Sequence, residues 1–181
     1  MFIAPFVRWT PLLLGLAACS RMSNTAGGSA SPATNPASTT YVKPEPGARH
    51  PTNIRQLTFG GNNAEAYFSD DGKKIIYQWQ HEVDAGCDQQ YIMNADGSNI
   101  RRVSNGQGRT TCGAFIDNDR RVLYSSTFQD SPACPPRPDM SKGYVWPIYD
   151  SYDIFRVDAD GQNLTRLTNT PGYDAEATVA K

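Results

Sequence analysis

The sequence predicts an all-β chain of repeated four-stranded antiparallel units, and three observations carry that reading. Strand-length runs rich in β-branched and aromatic residues recur in one order, Asp-Gly turns punctuate them, and their spacing suits four strands per unit. Ile54-Arg55-Gln56-Leu57-Thr58 returns as Ile100-Arg101-Arg102-Val103-Ser104 and again as Leu164-Thr165-Arg166-Leu167-Thr168. Ala66-Tyr67-Phe68, leading through Asp71-Gly72 to Tyr77, returns one residue shorter as Ala114-Phe115-Ile116, leading to Tyr124. Tyr91-Ile92-Met93-Asn94-Ala95-Asp96-Gly97 returns as Phe155-Arg156-Val157-Asp158-Ala159-Asp160-Gly161. The turns supply the positive φ that tight antiparallel connections need, so consecutive runs are expected to pair as a meander. A helical solenoid would instead space its apolar residues by three and four.

Along the chain, residues 1–18 read as an export signal: Arg8 precedes the apolar run Pro11 to Ala18, which is too short to span a bilayer. Leu16-Ala17-Ala18-Cys19 resembles the lipobox of bacterial lipoproteins, which makes Cys19 the expected lipidation site and mature N-terminus. Residues 19–50 hold Ser, Thr, Ala, Asn, Gly and Pro with almost no large apolar side chain. Such a stretch buries too little to offset its ordering entropy and reads as a disordered tether, with a reach on the order of 30 Å at about 5–6 Å × √n. Residues 51–181 carry the repeats. The step from Ile54 to Ile100 falls close to the ~40–45 residues of a propeller blade. The step from Ile100 to Leu164 is longer because the stretch between Tyr124 and Phe155 holds an insertion. Its run Tyr144-Val145-Trp146-Pro147-Ile148-Tyr149 is too apolar for a solvated spacer and is expected to pack on the repeats or meet a ligand. Asp174-Ala175-Glu176-Ala177 begins a third copy matching Asn63 to Ala66. The expected architecture is therefore about two complete blades and the start of a third, a fragment of a longer propeller.

The Asp-Asp-Gly-Lys turn at 70–73, the Ala-Asp-Gly turns at 95–97 and 159–161 and the Arg-Leu-Thr run at 166–168 resemble the TolB-type propeller of bacterial envelopes, a relative of the WD-repeat propellers. The resemblance covers roughly residues 54–180. It implies a periplasmic protein, although TolB carries an α/β domain before its propeller and is soluble, whereas here a tether and Cys19 stand in that place. Related propellers scaffold secretion machinery, accompany the catalytic domains of peptidases or act as polysaccharide lyases, so the fold does not name the role.

Composition excludes several classes. The formal net charge is −1 with no block of one sign, so a nucleic-acid partner has no basic stripe to bind. Two histidines, His50 and His81, leave little for a zinc site, and no metal or other cofactor is expected. Hydrolase, metalloprotease and phosphate-loop motifs are absent. Asp158-Ala159-Asp160-Gly161 begins like a calcium loop, but the twelfth position holds Asn169 rather than a bidentate Glu, so it reads as a hairpin turn. Trp79 is expected in the core; Trp146 suits either packing or stacking on a ligand.

Cys87, Cys112 and Cys134 remain after lipidation, and export makes a disulfide plausible. In a meander of this kind their connections share one end of the blades. Cys87 with Cys112 is the favoured pair and Cys112 with Cys134 the alternative. The same end is expected to carry Asp88, Arg109, Arg137, Asp139, Lys142, Tyr144 and Trp146 as the binding face. The function expected is that of a non-enzymatic binding or scaffolding protein. It would be lipid-anchored at the outer membrane, face the periplasm and hold a protein, peptide or glycan. The alternative is the accessory propeller of a peptidase or other hydrolase whose catalytic domain lies beyond residue 181.

Overall fold

The computed structural model describes residues 40–84 and 86–180. The stretch read as an export signal, Cys19 and the first part of the stretch read as a tether lie outside the described residues. Apart from one short 3-10 turn, Glu82–Asp84, every described element is a strand. β1 (Thr40–Val42) and β2 (Ile54–Gln56) form a two-stranded ladder. β3 (Asn62–Phe68), β4 (Lys74–Gln80), β5 (Asp88–Asn94) and β6 (Arg101–Arg102) form the first four-stranded antiparallel sheet, in sequence order. β7 (Thr110–Ile116), β8 (Arg121–Ser126), β9 (Asp153–Asp158) and β10 (Thr165–Arg166) form the second in the same order. β1 falls inside the stretch read as tether; its Thr-Tyr-Val is the one β-prone triplet there.

Local chemistry explains the meanders. Between β5 and β6, Gly97 at φ 88° closes the turn while Asp96 accepts a hydrogen bond from the Ser98 amide at 2.8 Å. Gly161 at φ 90° and Asp160, which accepts from the Gln162 amide at 2.9 Å, repeat this between β9 and β10. Between β7 and β8, Asp117, Asn118 and Asp119 take positive φ, which Asn and Asp tolerate best after glycine. The Asp119 carboxylate then reaches the other sheet, accepting from the Asp70 and Asp71 amides at 2.7 and 3.1 Å.

Two details of the sequence reading change. The run Ile54 to Thr58 leads each repeat in sequence, but its copies β6 and β10 close the preceding sheet as fourth strands, because the tight Asp-Gly turn folds them straight back on β5 and β9. The copies of β3 and β7 also do not differ by one residue. Tyr67 pairs with Ile76 as Ala114 pairs with Leu123, and Phe68 with Ile75 as Phe115 with Val122, so Ala66 corresponds to Gly113 rather than to Ala114. Both first strands carry a bulge at the matching place, with Glu65 at φ 46° and Cys112 at φ 57°. Gly113 suits the place, since a methyl group would displace the Gln90 amide and Ile76 Cδ1 of the first sheet.

β7 lies against β3, β4 and β5, so the second sheet packs on one face of the first. The shared core joins Ile76, Ile92 and Val103 to Val122, Tyr124, Phe155 and Val157. Burying each such side chain contributes about 1.5–3 kcal/mol. The other face of the first sheet holds Ile75, Tyr77, Trp79, Tyr91, Met93 and Ile100, with Leu57 from the β2 run packed on it as Val103 packs between the sheets. Trp79, 2 % exposed, is in this core as expected, its indole N–H donating to the Gly60 carbonyl at 3.1 Å.

Candidate binding face

The antiparallel order brings four connections to one end of the sheets: 81–87, 103–109, 127–152 and 167–173. A buried polar layer lies beneath them at the strand ends. Gln89 donates to the Gly108 carbonyl at 2.8 Å and accepts from Ser104 Oγ at 2.6 Å, and Thr110 shares a hydrogen bond with Ser126 at 2.9 Å. Asp84 is the most enclosed charge: it accepts from Tyr91 Oη at 2.6 Å and pairs with Arg102. Burial and the bond to Asp84 raise the Tyr91 phenol well above its usual range, so it stays a donor.

The disulfide at this end joins Cys87 to Cys134, with Cα atoms 5.7 Å apart. This corrects both pairings read from the sequence. Cys112 lies not in a connection but inside β7, where the bulge turns its side chain inward. It is a buried free thiol, and burial, followed by the nearby Glu65 and Glu176 carboxylates, pushes its pKa up to about 11. Cys134 in the insertion instead sits over the connection that carries Cys87. The bridge therefore ties the insertion of the second sheet to the first.

Not all of the predicted face is open. Arg109 is 6 % exposed and its guanidinium is engaged, with Nε 3.4 Å from Asp88 and Nη2 4.0 Å from Cys134 Sγ, so Arg109 and Asp88 support the insertion from below. Arg137, Asp139, Lys142 and Tyr144 are exposed on the insertion itself. The Ser141 amide holds the Asp139 carboxyl below the usual carboxylate range. Trp146 is half-buried and donates to Tyr173 Oη at 3.0 Å, which fastens the middle of the insertion. Tyr144 is 81 % and Ile148 68 % exposed, with Met140 beside them in sequence also exposed.

Two cavities were not read from the sequence. One, of about 590 Å³, opens between both feet of the insertion and the outer strands of the second sheet. The other, of about 470 Å³, lies by the bulges, where Glu65 and Cys112 meet Glu176 of the third copy, itself at φ 58°. The matching Ala-Glu-Ala of residues 64–66 and 175–177 was the signal for the second; the first is drawn from three separated segments and has no motif. Among the described residues no group of three His, Cys, Asp or Glu is placed to hold a metal ion.

No family model and no curated protein matches the chain. Among solved structures, the chain is similar to one described as a candidate TolB of Agrobacterium tumefaciens, at 20 % identity and a TM-score of 0.44, over 63 % of this chain and 33 % of that one. The chain thus spans about a third of that protein's length.

Proposed function

We propose that the chain is an envelope-anchored binding or scaffolding protein whose two sheets are adjacent blades of a TolB-like β-propeller. In this reading the molecule takes a protein, peptide or glycan partner at its insertion end. The clamped insertion carries the reading. A long connection held by a disulfide to the neighbouring sheet, and by Trp146 to Tyr173, nevertheless displays Tyr144, Ile148 and Met140 to solvent. Order of that kind without burial suits a recognition surface, because the entropy of fixing the loop is met before a partner arrives. The lipobox-like Leu16 to Cys19 supports acylation, with each buried methylene worth about 0.8 kcal/mol of membrane affinity, and among the described residues no helix is long and apolar enough to cross a membrane. Ser20 after the cysteine, rather than Asp, supports the outer membrane as the address.

The test places a photo-crosslinking residue at Tyr144 and, as a control, at Arg120 on the opposite end, in cells producing the full chain. A discrete envelope adduct from position 144 and none from 120 is expected, together with an acylated Cys19 at the mature N-terminus by mass spectrometry. Equal adducts from both positions would count against a dedicated face.

A further inference from the structure

The larger cavity exists only because the second sheet carries the insertion. Its walls are Gln129 and Asp130 at the first foot, Tyr149, Asp150 and Ser151 at the second, and Asp153, Arg166 and Asn169 from β9, β10 and the segment after them. At about 590 Å³ it falls within the ~300–1,000 Å³ of small-molecule sites. Asp153 and Arg166 pair at 2.6 Å, and Asp153 is 5 % exposed, so this pair is a fixed part of the wall. The Arg166 Nε also donates to the Thr168 carbonyl at 2.8 Å, which holds the guanidinium plane and leaves its Nη1 donors unassigned. By contrast, the side chains of Gln129, Asp130, Asp150, Ser151 and Asn169 make no hydrogen bond or ion pair to any described residue.

We infer that this cavity is a saccharide site selective for an amine-bearing sugar. The inference rests on the reading of this end as a binding face and selects a glycan among the partner classes. Two amides, a hydroxyl and two carboxylates with unused donors and acceptors, gathered from three chain segments, match a ligand that presents hydroxyl groups in several directions. A linear cationic peptide would engage chiefly the carboxylates of Asp130 and Asp150, and tri-lysine separates the two in the test. Tyr149, tilted beside Tyr152 with ring centroids 6.2 Å apart, gives one wall an aromatic surface for a sugar ring. Charge sets the selectivity. With Asp153 and Arg166 neutralising each other, Asp130 and Asp150 leave the cavity negative, so uronic acids and phosphorylated sugars are disfavoured and an ammonium group on the sugar is favoured.

Calorimetric titration of the full chain with a glucosamine trimer, its N-acetylated counterpart, a neutral glucose trimer and tri-lysine tests the inference. The glucosamine trimer is expected to bind, with both other saccharides weaker by about ten-fold, the scale of one charge-assisted hydrogen bond. Asp150→Asn and Asn169→Ala, both at exposed positions, should each weaken it by about ten-fold, while Asp160→Asn in the exposed turn at the opposite end should not. An unchanged near-ultraviolet circular dichroism spectrum establishes that each variant is folded, and a second substitution, Ser151→Ala, replaces any that is not. Absence of glucosamine binding would overturn the inference, as would tri-lysine binding equally well and losing affinity in the same variants. Since the crosslink from Tyr144 is read separately, failure here with that adduct intact would leave the binding face standing and remove only the sugar.

Discussion

Removing the disulfide should loosen the insertion first and the whole chain with it. The Cys87–Cys134 bridge closes a loop of 47 residues, and loop-closure entropy in the unfolded chain for that length corresponds to about 4 kcal/mol at 25 °C. Native disulfides typically deliver about 2–4 kcal/mol. Replacing both cysteines by serine puts two small hydroxyls under the insertion, where Arg109 and Asp88 still pair, so the native contacts around the bridge largely persist. The expected loss from urea unfolding of the full chain is therefore about 2–4 kcal/mol. Amide exchange should quicken across residues 128–150, while β4, β5 and β8 keep their order of protection. Non-reducing peptide mapping supplies the direct check, with the peptides of Cys87 and Cys134 linked and Cys112 alkylated only after unfolding. A midpoint unchanged on Cys87→Ser/Cys134→Ser substitution, or a linked pair containing Cys112, would refute the reasoning.

Gly113→Ala should destabilise the chain by about 1–3 kcal/mol in the same unfolding assay, since the added methyl meets Gln90 and Ile76 across the sheet interface, whereas Ala66→Gly at the matching exposed position of β3 should change it by less than about 1 kcal/mol. Cys112 should resist a maleimide at neutral pH. Its thiol ionises near 9 when unfolded and about 11 when folded, so the neutral form is favoured by folding. That contribution is whole below about pH 9 and is lost as the pH climbs to about 11, which Cys112→Ala should abolish in a pH series of unfolding midpoints.

Much of the fold was legible because it is local. Asp96-Gly97 and Asp160-Gly161 dictate hairpins whatever surrounds them, and the alternation Ile75, Tyr77, Trp79 against Ile76, Gln78 assigns the two faces of β4. Recurrence then placed four connections at one end without any coordinates. What a linear reading could not supply is the bulge. Its extra residue turns Cys112 inward within β7 as a free thiol, which leaves the bridge from Cys87 to Cys134, and because β3 and β7 carry the same bulge their copies align without a gap, Ala66 on Gly113.

The candidate site divides the same way. Composition alone gave two expectations for the stretch between Tyr124 and Phe155, packing on the repeats or meeting a ligand, since that much apolar surface is costly to leave in water; in the structure Trp146 is fastened to Tyr173 while Tyr144 and Ile148 stay exposed. That Arg109 is a buried support, with Asp88 as its partner, followed only from the tertiary structure, because a lone arginine in a loop carries no sign of what will cover it. The sequence by itself determined the strands of the two four-stranded sheets, their turns and the end at which the loops gather, all set by forces acting within a few residues. The tertiary structure decided which cysteines meet and which charges are hidden, because those depend on how one sheet packs on another, and where Gln129, Asp150 and Asn169 converge, because that depends on how the insertion folds back on its own sheet.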